Sequence, residues 1–216
     1  MNIMAFNGSP RNDWNTATLL NKVLEGAASK GATTELIHLY DLNYKGCISC
    51  FACKTKNGKS YGRCPVNDDL KDVFRKVEEV DAIILGSPIY FGRVSGEMAS
   101  FLDRLLFQYL EYSNTGRSLF PGKIDTAFIY TMNVTEEMMK VAGMDVPIKI
   151  NEMALKRIFE STETLLSFDT CQFEDYSKVV STMFDPHAKA ISREEVFPKD
   201  CQKSFELGAR LAEKAI

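Results

Sequence analysis

Two periods of apolar and polar positions run through the chain. Residues 2–7 form a short apolar run that reads as a strand. From about Asn15, apolar positions recur at helical spacing through Leu20, Val23, Leu24 and Ala27. Lys30-Gly31 ends this helix, because glycine suits the left-handed cap. Residues 33–40 are rich in β-formers and predict a second strand. Residues 41–63 carry Gly, Lys, Asn and Cys with no period, so a long loop is expected; loops of that length are usually functional or disordered. Asn67-Asp68-Asp69 then caps a helix bearing Leu70, Val73, Phe74 and Val77. Ala82-Ile83-Ile84-Leu85-Gly86 is apolar at every step, as a central parallel strand covered on both faces should be.

A loop is expected at 87–95 and a helix at 96–112, with Met98, Phe101, Leu102, Leu105, Leu106 and Tyr109 inward. Residues 124–132 read as a fourth central strand. Beyond Asn133 the pattern loosens. Short helices are expected at 135–141 and 150–160, a fifth strand at 164–168, an ambiguous stretch at 169–198 and an amphipathic helix at 199–215. Strands alternating with helices imply an α/β fold: a parallel sheet with right-handed crossovers and helices on both faces. One domain spanning 1–216 is expected, with a cysteine-rich loop at 41–64 and an insertion at 134–162. Ligands in such sheets bind beyond the carboxyl ends of the strands. The loops at 8–15, 87–95 and 132–135 therefore command the interest.

The composition narrows the function classes. Of 216 residues, 45% are hydrophobic and 25% charged, which excludes disorder, collagen and coiled coil for the whole. Twenty-six basic against 29 acidic residues leave a net charge of −3, so no basic footprint for nucleic acid exists. No apolar run nears the roughly 18 residues of a membrane span, and no Lys/Arg cluster marks a membrane surface. The first seven residues read as a strand and not a signal peptide, so a cytoplasmic, reducing location is expected. The six cysteines are then free thiols, metal ligands or redox groups before they are disulfides. With only His38 and His187, a multi-His metal centre or a His-based triad has little material.

The first loop, Gly8-Ser9-Pro10-Arg11-Asn12-Asp13-Trp14-Asn15-Thr16, leads into a helix N-terminus, whose free N–H groups and dipole suit a phosphate. Ser9, Asn15 and Thr16 add neutral donors and Arg11 a charged fork. The loop lacks a P-loop and a dinucleotide fingerprint. Its alternative is a plain turn with Asn15 or Thr16 as helix cap. The loop Gly86-Ser87-Pro88-Ile89-Tyr90-Phe91-Gly92 offers glycines for close backbone approach and aromatics that wall a flat ligand, or else a turn with aromatics in the core.

Taken together, Gly8-Ser9-Pro10-Arg11, Asn15-Thr16, Asp81-Ala82, Ser87-Pro88-Ile89-Tyr90-Phe91-Gly92 and Phe101-Leu102-Asp103-Arg104 make residues 1–135 resemble the NADPH-dependent FMN reductase and iron-sulfur flavoprotein branch of the flavodoxin-like superfamily. The resemblance implies a three-layer sandwich around a five-stranded parallel sheet of order 2-1-3-4-5. It implies non-covalent FMN, with Ser9, Arg11, Asn15, Thr16 and Ala17 at the phosphate. Pro88, Ile89, Tyr90, Phe91 and Gly92 would line the isoalloxazine, and Thr131, Met132 and Asn133 a third contacting loop. Trp14 stands where the family often has glycine.

Cys47, Cys50 and Cys53, spaced Cys-x2-Cys-x2-Cys, are followed ten residues later by Cys64-Pro65. Four thiols on one loop can hold an iron–sulfur cluster or zinc, form a redox pair, or stay free. The iron-sulfur flavoproteins carry a similar triple with a nearby fourth cysteine, which makes a 4Fe-4S cluster on Cys47, Cys50, Cys53 and Cys64 a candidate. Cys171 and Cys201 stand alone and are expected to be small buried hydrophobes.

The expected function is an FMN-dependent oxidoreductase. It would pass electrons from NAD(P)H to a small acceptor such as a quinone, free flavin or nitro compound, with no protein acid or base required because the flavin carries the chemistry. The alternative is an electron carrier that meets a ferredoxin-like protein through a cluster. A homodimer or higher homo-oligomer is expected, because the helix around 105–112 is apolar on more sides than one buried face requires.

Overall fold

The computed structural model describes residues 1–114 and 116–214. The chain runs β1 (Asn2–Asn7), α1 (Asn15–Ala28), β2 (Thr33–His38), α2 (Leu70–Val77), β3 (Ala82–Tyr90), β4 (Arg93–Val94), α3 (Gly96–Tyr109), β5 (Asp125–Thr131), α4 (Glu136–Val141), α5 (Asp145–Phe159), β6 (Glu163–Ser167), α6 (Pro186–Ile191) and α7 (Phe197–Lys214). The parallel path is β2-β1-β3-β5-β6, and the two-residue β4 pairs antiparallel with the end of β3. The sheet thus has six strands where five were expected. The five long ones keep the expected spatial order, and the short hairpin strand shifts the numbering.

The sheet splits its own side chains between two cores. Ile3 and Ala5 of β1, Ala82 and Ile84 of β3, and Ala127 and Ile129 of β5 face one layer, with α1 and α7. Met4 and Phe6, Ile83 and Leu85, and Phe128 and Tyr130 face the other, with α2, α3 and α5. Successive residues of a strand point to opposite faces, so strands buried on both must be apolar throughout.

Several expected boundaries move for local reasons. The stretch 87–95, expected as a loop, is strand to Tyr90 and then a hairpin, with Phe91 (φ 50°) and Gly92 (φ 80°) as its two turn residues. Positive φ at both central positions is the type I′ geometry that matches strand twist. The second strand stops at His38, and residues 39–41 form a single tight turn. The helix expected to reach 112 ends at Tyr109, because Leu110 bridges to Ser118. The helix expected from 150 begins at Asp145, with Pro147 in its first turn, where a missing N–H costs nothing. The 134–162 stretch holds α4 and α5, and α5 is the crossover that a parallel β5–β6 pair needs. The ambiguous stretch contains α6 and a wide helical turn, Ser192–Val196, leading into α7. The expected end of that last helix, Ala215, lies outside the described residues. Among the described residues, no helix is long and apolar enough to cross a membrane.

Candidate functional site

The carboxyl ends of β1, β3 and β5 open onto one cleft. Its walls are Ser9, Arg11, Trp14, Asn15 and Thr16 after β1, Pro88, Ile89 and Tyr90 on β3, and Thr131, Met132 and Asn133 after β5. The sheet's switch between right-going and left-going crossovers falls here, which is where such folds bind ligands. Three expected residues lie elsewhere. Ala17 is fully buried beneath the loop, and Phe91 and Gly92 form the hairpin tip, with Phe91 wholly exposed.

The first loop is shaped from within. Asn7 Oδ1 accepts from Ser9 N at 3.0 Å, and Asn7 Nδ2 meets His38 Nδ1 at 3.0 Å. His38 is thus a structural partner for the loop. Ser9 Oγ accepts from Arg11 N at 3.1 Å. Ser95 ties the loop to the hairpin, donating from Oγ to Gly8 O at 2.6 Å and from its N–H to Ser87 Oγ at 3.0 Å. Thr16 and Thr131 share a hydroxyl contact at 2.8 Å that locks the first wall to the third.

The turn-only reading of this loop required Asn15 or Thr16 to cap α1. Neither does. No side chain caps α1, and no acidic residue stands in its first turn. The helices α3, α4 and α6 are capped by Ser95, Thr135 and Asp185. The first-turn N–H groups of α1 therefore lack the side-chain partner that a helix start normally receives. No carboxylate lines the cleft. An uncapped helix start and an arginine, with no carboxylate among the lining residues, are features that suit a phosphate, although α2 and α5 also start without a side-chain cap.

A fourth wall was not legible in the sequence. Thr170, Cys171 and Gln172, after β6, complete the cleft. Cys171 O accepts from Asn15 Nδ2 at 2.7 Å and Trp14 Nε1 at 3.0 Å, and Gln172 O accepts from Arg11 Nη1 at 2.8 Å. Lys189, buried, donates to Asn133 O at 2.6 Å and to Asp169 Oδ1, binding the third and fourth walls. Arg193 reaches back to Asn15 Oδ1 at 2.8 Å, and its guanidinium stacks on Trp14 at 5.2 Å, as Arg11 does at 5.1 Å. The indole in the family's glycine place is thus the platform for two cations. Burial pushes the Cys171 thiol up.

Cys47, Cys50, Cys53 and Cys64 line a second, small cavity, roofed by the 41–64 loop and floored by α3. Cys53 is buried, Cys64 half-buried, and Cys47 and Cys50 are exposed. Ser49 (φ 53°) and Phe51 (φ 56°) take left-handed backbone, which curls the loop round the cavity. Burial pushes the Cys53 thiol up, Lys54 opposes this, and the other three thiols add to it. Among the described residues, no His, Cys, Asp or Glu group is drawn together tightly enough for a single metal ion.

The family profile of the NADPH-dependent FMN reductases matches residues 1–144, two thirds of the chain. The chain belongs to that family. Among curated relatives of this FMN reductase-family chain is an iron-sulfur flavoprotein of Methanocaldococcus jannaschii. It is 40% identical over 104 residues, 48% of this chain and 51% of the relative. An NAD(P)H dehydrogenase (quinone) of Azorhizobium caulinodans is 30% identical over 53% of this chain and 49% of its own. The chain thus spans about half the length of the curated relatives it matches. The NAD(P)H:quinone oxidoreductase of Methanothermobacter marburgensis superposes with a TM-score of 0.69 at 14% identity, over 98% of this chain and 96% of its own. An FMN-dependent NADH-azoreductase of Bacillus anthracis, solved with FMN, gives 0.65 at 12% identity, over 98% and 100%. These superpositions establish the flavodoxin-like fold for the family member described here.

Proposed function

We propose that the protein binds FMN and is an NAD(P)H-dependent oxidoreductase that reduces a small acceptor of the quinone, flavin or nitro class. The observation that carries this reading is the carboxylate-free cleft at the switch point, with the uncapped start of α1 at one end and Pro88, Ile89 and Tyr90 along its side. Bound flavin supplies hydride acceptance and one- or two-electron release. The chain's own part is to hold and polarise. Arg11 and the first-turn amides of α1 take the phosphate, Ser9 and Thr16 orient it, and the β3 hairpin walls the ring.

The test is anaerobic titration of the apoprotein with FMN, followed by rapid mixing with NADPH and with NADH. Stoichiometric FMN binding and bleaching of the flavin band by either nucleotide are expected. No FMN binding overturns the reading, and binding without reduction by either nucleotide overturns the reductase half of it.

A second reading, an electron carrier, is favoured by the cysteine cavity. Its residues fit a thiolate-held group: four cysteines line it, and Arg104 and Gln108, whose buried donors lack well-made partners, line it with them. Cys47, Cys50, Cys53 and Cys64 would hold an iron–sulfur cluster, which supplies one-electron storage. About four irons per chain after anaerobic reconstitution are expected. Cys53→Ser should abolish iron uptake while FMN binding persists, since the two sites share no lining residue. Iron-free protein after reconstitution overturns this second reading and leaves the first.

A further inference from the structure

Arg104 and Gln108 lie one turn apart on α3, so both side chains share the face that floors the cysteine cavity. Each is 2% exposed. Six buried side-chain polar atoms lack a partner among the described residues, and three of them are here: Arg104 Nε, Arg104 Nη2 and Gln108 Nε2. All three are donors. Buried donors are normally satisfied, because leaving one unmade is expensive. Three at one cavity point to an acceptor that belongs in it.

The partners that these side chains do have decide which way the free ends face. Gln108 Oε1 accepts from Cys64 N at 2.9 Å, which assigns the oxygen end and leaves the NH2 end for the cavity. Arg104 Nη1 is occupied by Asp68 Oδ2 and by Lys45 O at 3.3 Å. The remaining edge is the Nε–Nη2 fork, which lies beside the Cys64 thiol without a well-made hydrogen bond to it and is the pair of parallel donors that suits an anion. The Phe74 ring backs the guanidinium at 5.6 Å. Apart from the four cysteines and these two residues, the lining is Ile48, Phe51, Pro65, Val66 and Phe107, which offer the donors no side-chain acceptor. Neutral thiols are weak acceptors, whereas sulfur that carries metal-bound negative charge is a strong one.

We propose that Arg104 and Gln108 donate to the sulfur atoms of a cluster held by Cys47, Cys50, Cys53 and Cys64, and that they raise its reduction potential. The proposal rests on the cluster reading and adds to it two positioning residues outside the ligand set. Reduction adds one electron and increases the negative charge on the sulfurs. Donors and a fixed cation at those sulfurs stabilise the reduced form more than the oxidised one. Removing them makes the cluster harder to reduce.

The experiment uses the full chain, reconstituted anaerobically with ferrous iron and sulfide. Iron and sulfide are counted, and the midpoint is read by EPR during dithionite titration. Gln108→Glu keeps the oxygen that accepts from Cys64 N and puts an anionic oxygen where the donor was. Arg104→Lys keeps the charge beside Asp68 and loses the fork. Gln108→Met removes the donor without adding charge and serves if Gln108→Glu does not fold cooperatively. Each folded variant should have a lower midpoint than the parent. For Gln108→Glu the reduction equilibrium should fall tenfold or more, 59 mV for one electron. Loss of iron from a variant that still unfolds cooperatively also supports the donors. Midpoints equal to the parent's in iron-loaded variants overturn the proposal and leave the cluster reading standing. A parent chain that takes up no iron and sulfide overturns both.

Discussion

Asn15 is held at both ends of its amide, by Cys171 O on the nitrogen and by Arg193 on the oxygen. Arg193 is exposed, yet it fixes a residue of the phosphate seat and packs on Trp14. Removing it should loosen Asn15 without touching the ligand. Arg193→Ala is expected to weaken FMN binding to the apoprotein by about 1 kcal/mol, and Arg11→Ala by ~1.5–3 kcal/mol, the range for a charged hydrogen bond. Calorimetric titration distinguishes the two; unchanged affinity in both variants removes this loop from the site. A second residue-scale consequence concerns buried phenols. Burial, with Glu97 beside Tyr44 and Glu78 beside Tyr109, pushes both hydroxyls far up, and burial does the same to Tyr130. A raised native pKa gives stability that is complete below the unfolded value, near 10, and is lost as pH rises past it. Absorbance at 295 nm should show the two fully buried phenols among the eight tyrosines, Tyr109 and Tyr130, ionising only with unfolding. Their titration in a still-folded chain would refute this.

Elements meet most tightly where α1 crosses α7. A Cβ on Gly208 would stand 1.8 Å from Val23 O, and one on Gly26 would stand 1.9 Å from Phe205 O. Neither obstacle is a movable side-chain end, so the helices must separate to admit a methyl group. Gly208→Ala should cost ~1–3 kcal/mol, the range for overpacking, read as a lower urea midpoint with an unchanged slope. An unshifted midpoint would mean that the helices separate freely. The wide turn at Ser192–Val196, just before α7, carries Arg193 to the cleft. Irregular helical turns of this kind are frequent at functional sites.

At the scale of the molecule, the 41–64 loop, α3 and α5 surround an apolar groove. Phe107, Tyr112 and Met153 line it beside Cys47 and Asp103. Tyr112 is 67% and Met153 70% exposed, more than isolated surface apolars need. Burial pushes the Asp103 carboxyl up, which lowers the cost of covering it. A homodimer through this face is expected. Light scattering at micromolar concentration should report twice the chain mass, and Met153→Glu should return the monomer. A parent chain that is monomeric throughout refutes the prediction.

The order of the five long strands and the two-faced sheet were legible in the residues, because periods of 2 and 3.6 are local and strands covered on both faces must be apolar. The cysteine spacing was legible for the same reason, since its four members stand within 18 positions. What no local pattern carries is which distant segments close on a site. The wall at 170–172 reaches Asn15 across 156 positions, and Arg193 reaches it across 178. Arg104 read only as part of a helix motif, and nothing in the sequence singled out Gln108. Their unpartnered donors exist only once Asp68, Lys45 and Cys64 have folded against them and taken the other ends. Long-range packing decides those contacts, because burial is what turns an unused donor from a solvated group into a demand for a ligand.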